Sequence, residues 1–357
     1  MSRPLDFAAT LVAWQRTHGR HDLPWQRTRD PYRVWLSEVM LQQTQVATVL
    51  PYYARFLERF PDVTALAAAP LEHVLALWSG LGYYSRARNL HRCAQAVVAG
   101  HGGAFPRTAE ALAGLPGIGP STAAAIAAFC YGERAAILDG NVKRVLTRWL
   151  AFDGDLADAE PVRNLWQRAQ ALLPSRDVDI YTQGLMDLGA TLCTPREPRC
   201  GDCPVAHGCA ARAAGDVLRY PVKSRRQRRT ERRNAWLWLT HRNRVWLVQR
   251  PDRGVWAGLW SLPEFSDGVA LDAAGLTWPG HVEVLPTVRH ALTHFDWWLT
   301  PHRWVLPART AAATLERIAA QLSGSAGSGR WFTRAEALAA GIPAPLRRLL
   351  GESPPSA

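Results

Sequence analysis

Cys193, Cys200, Cys203 and Cys209 constrain this chain more tightly than any other feature. Their spacing is C-x6-C-x2-C-x5-C, and the intervening TPREPR and GDCPVAHG are loop-forming. Four soft thiolates in one short loop make a four-coordinate metal site, for which zinc and iron–sulfur are both chemically acceptable. The fold must therefore close this loop on itself, with Arg196 and Arg199 beside the site. Cys93 and Cys130 sit in apolar helical segments and read as small core residues. Six cysteines in 357 residues, four of them clustered, do not resemble a disulfide framework. They fit a cytoplasmic protein with one metal site.

The loop ends a long helical stretch. Apolar residues recur at three and four in VWLSEVMLQQTQVATVLPYYARFLERF and in LEHVLALWSGLGYYSRARNLHRCAQAVVAG. Gly and Pro clusters separate the segments, and Asp or Thr stands at several helix starts. The N-terminal residues read as an amphipathic helix without the apolar core or cleavage site of a signal peptide. No run of about 18 apolar residues is present, so no membrane span is expected. The stretch RYPVKSRRQRRTERR, 219–233, carries eight basic residues and one acidic residue and reads as an exposed linker. After Asn234 the texture changes. AWLWLTHRNRVWLVQRP alternates around a turn at His241–Arg244, which predicts a β-hairpin. GVWAGLWSLPEF and DWWLTPHRWVL read as strand or loop, and LERIAAQLSG and FTRAEALAAGIP as short helices. A C-terminal α+β domain over 234–350 follows. The formal net charge is +12, almost all from arginine, which favours a polyanionic partner such as nucleic acid. Lysine occurs only at Lys143 and Lys223.

Three local features carry chemistry. In LPGIGPSTAAAI, residues 115–126, a Gly/Pro turn joins two helices. Gly117 and Gly119 let backbone N–H groups approach a phosphate, and the following helix start favours an anion. Glu38 lies in SEVMLQQTQV beside Val39, Met40 and Leu41; a surface carboxylate is its simplest role. Asp139 lies in AAILDGNVKRVLTR at a helix entry, where a cap is its simplest role. Spacing alone does not bring the two acids together.

These residues jointly resemble the helix-hairpin-helix base-excision glycosylases. LPGIGPSTAAAI resembles their hairpin, ILDGNVKRV their aspartate segment, and the cysteine pattern their [4Fe–4S] loop. SEVMLQQTQV and GLGYYSRARNL resemble the adenine-specific, MutY-type branch over about residues 5–215. GVWAGLWSLPEF and RHALTHF more loosely resemble that branch's Nudix-like recognition domain. The resemblance implies a mainly α helix-hairpin-helix glycosylase fold with an iron–sulfur loop, over 1–218, plus a C-terminal α+β Nudix-like domain. The helical part would comprise a six-helix module, about 24–133, and a cluster module built from about 1–23 and 134–218. The implied reaction is monofunctional hydrolysis of adenine mispaired with 8-oxoguanine or guanine in double-stranded DNA. The implied protein is a cytoplasmic, nucleoid-associated monomer with no membrane contact.

The same resemblance assigns roles. Glu38, kept neutral, would protonate the departing adenine and handle water; Asp139 would stabilise the oxocarbenium-like sugar, oriented with Asn141. Cys193, Cys200, Cys203 and Cys209 would hold the cluster. Gln43 and Tyr83 would wedge into the base stack, Thr44 and Leu81 would line the 8-oxoguanine, and Thr293 with His294 would contact it from the C-terminal domain. Gly117, Gly119, Ser121 and Lys143 complete the DNA-facing set, with Lys143 near enough to trap an opened sugar occasionally. The sequence departs from the pattern at Gln26, where relatives often carry Arg, at Asp187, where many have Glu, and at Leu292 and Thr293 in place of Phe and Ser. An endonuclease III-like lyase for oxidised pyrimidines would need a lysine where Ser121 stands. A non-catalytic iron–sulfur DNA-binding protein would need neither Glu38 nor Asp139. A Zn-stabilised Nudix pyrophosphatase would need a cluster of glutamates to hold magnesium, and Glu264 stands alone after GLWSLPEF.

Overall fold

The computed structural model describes residues 6–224, 229–275, 277–326 and 328–352. In chain order its helices begin with α1 (Phe7–His18), α2 (Pro31–Leu41), α3 (Val46–Arg59), α4 (Val63–Ala68), α5 (Leu71–Trp78) and α6 (Ser85–His101). They continue with α7 (Ala109–Ala113), α8 (Pro120–Tyr131), α9 (Gly140–Leu150), α10 (Ala159–Ala171), α11 (Val178–Thr191) and α12 (Ala210–Ala213). The strands β1 (Thr230–His241), β2 (Arg244–Gln249), β3 (Trp260–Ser261) and β4 (Glu264–Phe265) precede α13 (Gly268–Gly275). Then come β5 (His281–Val284), β6 (Val288–Ala291), β7 (Phe295–Leu306), α14 (Ala312–Ala326), β8 (Gly329–Thr333), α15 (Arg334–Ala339) and α16 (Ala344–Glu352). Two compact units result, one of 1–49, 60–67 and 92–226, the other of 50–59, 68–91 and 227–357. No helix among the described residues is long and apolar enough to cross a membrane.

The first unit is organised by α8. Ala123, Ala124, Ala125, Ile126, Ala127 and Ala128 are all buried, so the helix is covered on every side rather than along one stripe. Its methyl-sized side chains let α2, α7 and α11 pack closely around it. The neighbouring α9 is amphipathic and buries Val142, Val145 and Leu146. Its core continues through Leu11, Leu165, Tyr181, Leu185 and Leu188. Acid and hydroxyl side chains fix the helix starts as their positions predict. Asp6 caps α1, Asp30 caps α2, Thr108 caps α7 and Asp139 caps α9, each accepting a backbone N–H of the first turn.

The second unit is built on a mixed sheet of order β3-β2-β1-β7-β5, with β4 on β1, β6 on β7 and β8 on β2. The expected hairpin forms, with His241 opposite Arg244 and the turn at Arg242, whose φ is +52°. β1 and β7 pair in parallel from Thr230↔Phe295 to His241↔Leu306. Leu237, Leu239, Trp246, Val248, Ile318 and Leu322 form its core with α14 laid across the sheet. DWWLTPHRWVL is therefore strand, and the two C-terminal helical segments are helices. Of the basic stretch 219–233, residues 225–228 lie outside the described residues, and β1 already begins at Thr230.

The tight packing of α8 sets a direct test. Ala128→Leu should lower stability by about 1–3 kcal/mol through overpacking. Urea unfolding monitored by circular dichroism would measure it, and an unchanged midpoint would contradict the close approach described for α8.

Candidate active site

The first unit contains a cavity of about 1140 Å³. Glu38 of α2 and Asp139 at the start of α9 both line it, so two acids 101 residues apart face one space. Burial pushes the Glu38 carboxyl from its ordinary 4.5 up to about 8, and the nearby Asp139 charge pushes the same way. Glu38 is therefore protonated at neutral pH. Burial also raises Asp139, but backbone N–H groups of Val142 and Asn141 and the charges of Arg144 and Lys143 pull it back. Burial thus raises both carboxyls, and Asp139 alone has backbone N–H groups and cations that act against the rise. Asp139 keeps its capping role at the same time, accepting the Val142 N–H through Oδ1 at 2.7 Å.

Arg144 supports this corner from α9. Its Nη2 donates to Asn141 Oδ1 at 2.8 Å and to the Gly189 carbonyl at 2.7 Å, and its Nε donates to the Cys193 carbonyl at 2.7 Å. The approach of α11 to α9 requires glycine at 189, because a Cβ there would lie 2.7 Å from the Asn141 Cβ. Ser121, at the start of α8, also lines the cavity. Its Oγ accepts the Leu138 N–H at 3.0 Å and so tethers the residue before Asp139. Lys143 is half-buried on α9 and does not line the cavity.

The cavity is also lined by groups of which the sequence singled out only Gln26. Arg20, Gln26 and Gln183 line it. Gln26 accepts the Leu23 N–H through Oε1 at 3.3 Å, while its Nε2 is buried without a hydrogen-bond partner. Asp187 is fully buried behind the wall rather than in it. It accepts the Arg20 backbone N–H at 2.9 Å, Arg20 Nε at 2.8 Å and Gln183 Nε2 at 2.8 Å. Its shorter carboxylate therefore fixes two cavity-facing side chains. Only the i, i+4 relation of Gln183 to Asp187 was visible in the sequence.

The remaining positions fall in three places. Gly117 adopts φ +76° in the exposed turn between α7 and α8, and Gly119 starts α8 with no side-chain cap. Gln43 and Thr44 line the cavity; Gln43 is exposed and has φ +56°, a conformation that costs a residue with a Cβ and marks a built feature. In the second unit, Leu81 is buried, whereas Tyr83 has φ +48° and leaves 47% of its surface exposed. Thr293 and His294 are exposed at the tip between β6 and β7. Glu264 is engaged by Arg250 and Arg232, which leaves it committed to ion pairs.

Cys193, Cys200, Cys203 and Cys209 line a separate small cavity of the first unit with Arg148, Arg199 and Arg212. Arg148 is nearly inaccessible to solvent and donates to the Thr194 carbonyl at 2.7 Å and to Cys193 Sγ at 3.4 Å. Burial pushes the Cys203 thiol up to about 11, and the neighbouring cysteines add to the effect. Among the described residues, no three His, Cys, Asp or Glu side chains are arranged to hold a single metal ion.

Comparison with known proteins adds the family context. The profile of the HhH-GPD superfamily base excision DNA repair protein matches residues 36–170, and that of the NUDIX domain matches 234–352. Over 306 residues the chain is 35% identical to an adenine DNA glycosylase of Buchnera aphidicola subsp. Baizongia pistaciae, covering 85% of this chain and 86% of that one. It is 34% identical to an adenine DNA glycosylase of Homo sapiens, covering 96% and 73% respectively. Among solved structures, that of a thermostable thymine-DNA glycosylase is similar with a TM-score of 0.53 at 30% identity, over 58% of this chain and 95% of that one.

The raised Glu38 carboxyl makes a prediction about stability. At pH values between 4.5 and 8 the folded chain holds a proton that the unfolded chain has released, so stability falls across this window. Glu38→Gln removes that loss. Its melting temperature relative to the unsubstituted protein should climb from pH 4.5 to pH 8 and be level below pH 4.5. A difference independent of pH would mean that Glu38 is not buried as described.

Proposed function

This chain belongs to the adenine DNA glycosylase family of base-excision repair enzymes, and we propose that its substrate is adenine mispaired with 8-oxoguanine, or with guanine, in double-stranded DNA. The observation that carries the mechanism is the placement of Glu38 and Asp139 on one cavity, with Glu38 protonated at neutral pH. A paired base is inaccessible to either group, so the adenine must first leave the stack, at a cost of a few kcal/mol. Inside the cavity, the neutral Glu38 carboxyl gives its proton to a ring nitrogen of adenine, which makes the base a leaving group. As the C1′–N bond breaks, positive charge develops on the sugar, and the Asp139 carboxylate stabilises it. The ionised Glu38 then takes a proton from the attacking water. Asn141, held by Arg144, keeps this corner in register.

Other parts of the chain fit recognition. The exposed N–H groups around Gly117 and Gly119 suit a backbone phosphate. Gln43 and Tyr83, both exposed with positive φ, suit insertion into a base stack. Thr44, Leu81, Thr293 and His294 are assigned to the 8-oxoguanine side. The Ser121 hydroxyl is bound to Leu138 N and offers no amine for a Schiff base, which supports hydrolysis without strand cleavage. We place the protein with the DNA of the cytoplasm and nucleoid, acting as a monomer.

The cysteine loop fits a [4Fe–4S] cluster. Four thiols line one cavity that is ringed by Arg148, Arg199 and Arg212, and an anionic thiolate-ligated cluster would be neutralised by these cations. Burial, with a smaller effect of the neighbouring cysteines, raises Cys203 and Cys209, and bound iron would offset both by favouring the thiolates. When bound, the cluster supplies thiolate–iron bonds that hold the loop 193–209 closed.

Glu38→Gln should slow excision by about 10²–10⁴-fold while duplex binding persists. With Glu38 intact, the single-turnover rate should fall as pH rises through about 8, because the acid loses its proton there. Duplexes with adenine opposite 8-oxoguanine, adenine opposite guanine, and thymine glycol opposite adenine would be incubated and then treated with or without hot alkali. Breaks only after alkali, and only with the adenine substrates, are expected. Breaks without alkali, or excision of thymine glycol, would favour the endonuclease III-like chemistry. The purified protein should be brown, with absorbance near 400 nm (about, as for thiolate-ligated clusters); a colourless protein with zinc would reject the cluster.

A further inference from the structure

Residues 79–84, SGLGYY, connect α5 to α6 within the second unit. Gly80, Gly82 and Tyr83 all adopt positive φ, at 109°, 73° and 48°. A Cβ at residue 80 would overlap the Tyr52 hydroxyl, so the loop passes where only glycine fits. Leu81 and Tyr84 are buried, while the Tyr83 ring points outward. A strained, outward aromatic side chain persists only if its surroundings over-determine it.

Much of that restraint comes from the far end of the chain. Ser79 Oγ donates to the Ile342 carbonyl at 3.0 Å. The same Oγ accepts Arg347 Nε at 3.2 Å and Nη2 at 3.0 Å. Tyr84 Oη donates to the Ile342 carbonyl at 3.1 Å and accepts the Gly80 N–H at 3.4 Å. Arg347 Nη2 also donates to the Ala340 carbonyl at 3.3 Å, which ties the turn between α15 and α16 to the same point. The flanks are fixed likewise. Glu72 accepts Trp260 Nε1 at 2.9 Å, and Arg88 Nη1 donates to the Ala257 carbonyl at 2.8 Å. Ser79 and Ile342 are both buried, so these bonds stand away from solvent.

We propose that Arg347 and the 340–343 turn are positioning elements for Tyr83, so that the C-terminal segment sets how the ring enters a base stack. This rests on the reading of Tyr83 as a stack wedge. Arg347 acts from within the protein, through Ser79, and not as a DNA contact. It acts by holding the Ser79 hydroxyl, which fixes where the positive-φ run begins. Losing a buried bond to a charged donor would let the loop relax and reduce the fraction of rings held ready.

The test uses the full chain and a duplex in which 2′-fluoro-deoxyadenosine, resistant to excision, faces 8-oxoguanine. A neighbouring 2-aminopurine reports stack opening by its fluorescence. Tyr83→Ala and Arg347→Met should each lower the opening constant about tenfold. The double variant should be no worse than Tyr83→Ala alone, because both changes remove the same insertion. Arg347→Lys, which keeps a donor, should recover part of the loss. Ser79→Ala should behave as Arg347→Met does and carries the test if the latter fails to fold. Additive losses, or wild-type opening by both Arg347→Met and Ser79→Ala while Tyr83→Ala is impaired, would overturn the proposal and leave the wedge reading intact. Wild-type opening by Tyr83→Ala would overturn the wedge reading and this proposal with it.

Discussion

At the start of α9 one carboxylate serves a helix and a cavity together. Asp139 accepts the Val142 N–H and presents its charge to the space that Glu38 also faces. The cap fixes the start of α9, which packs on α11, and with it the place of Asp139. That place determines how strongly its charge acts on Glu38. The proton on Glu38 at neutral pH follows from the same packing, since burial is the larger cause and Asp139 the smaller. A stable helix start and a poised acid are therefore one arrangement, and a substitution at Asp139 would disturb both.

Arginine does much of the work around this arrangement, as a chain with two lysines suggests. The Arg144 guanidinium reaches Asn141, Gly189 and Cys193 at once, a task that its fixed fork of donors permits and a single ammonium would not. Arg148, one turn further along α9, reaches Thr194, Pro195 and Tyr220. Two successive turns of α9 thus hold the cysteine loop from one side while its first turn presents Asp139 and Asn141. Basic composition, which first suggests only a polyanionic partner, also supplies this internal framework.

Features set by neighbours in the chain were legible in the sequence. The caps at Asp30 and Asp139, the hairpin turn at Arg242 and the alanine-rich α8 each follow from residues within a few positions. The convergence of Glu38 and Asp139 was not legible from pattern, because it depends on how α2 packs on α8 and α9 on α11. Asp187 illustrates the limit well. It stands at a position that invites a place in the cavity wall, yet Arg20, 167 residues away, draws it behind the wall. Nor does α5 announce its partner. Its apolar face is covered from Gly258 and Gly341, far beyond the change of texture at Asn234. Pattern says that a face must be buried; it does not say which distant residues will cover it.

The grouping of 50–59 and 68–91 with 227–357 has a consequence during synthesis. A ribosome releases α5 more than 150 residues before the glycines that cover it (about 5–20 residues are added each second). The parallel pairing of β1 with β7 likewise waits for a strand that starts 65 positions later. Helices formed from local contacts assemble quickly, whereas non-local pairings of this kind come late. For about ten to fifty seconds a nascent chain therefore carries Leu75 without these two neighbours, and a message truncated before Gly258 would leave that side chain without either of them. Quality control is thus weighted toward the segments around Gly258 and Gly341: a copy that lacks them exposes an apolar helix face that chaperones and proteases read.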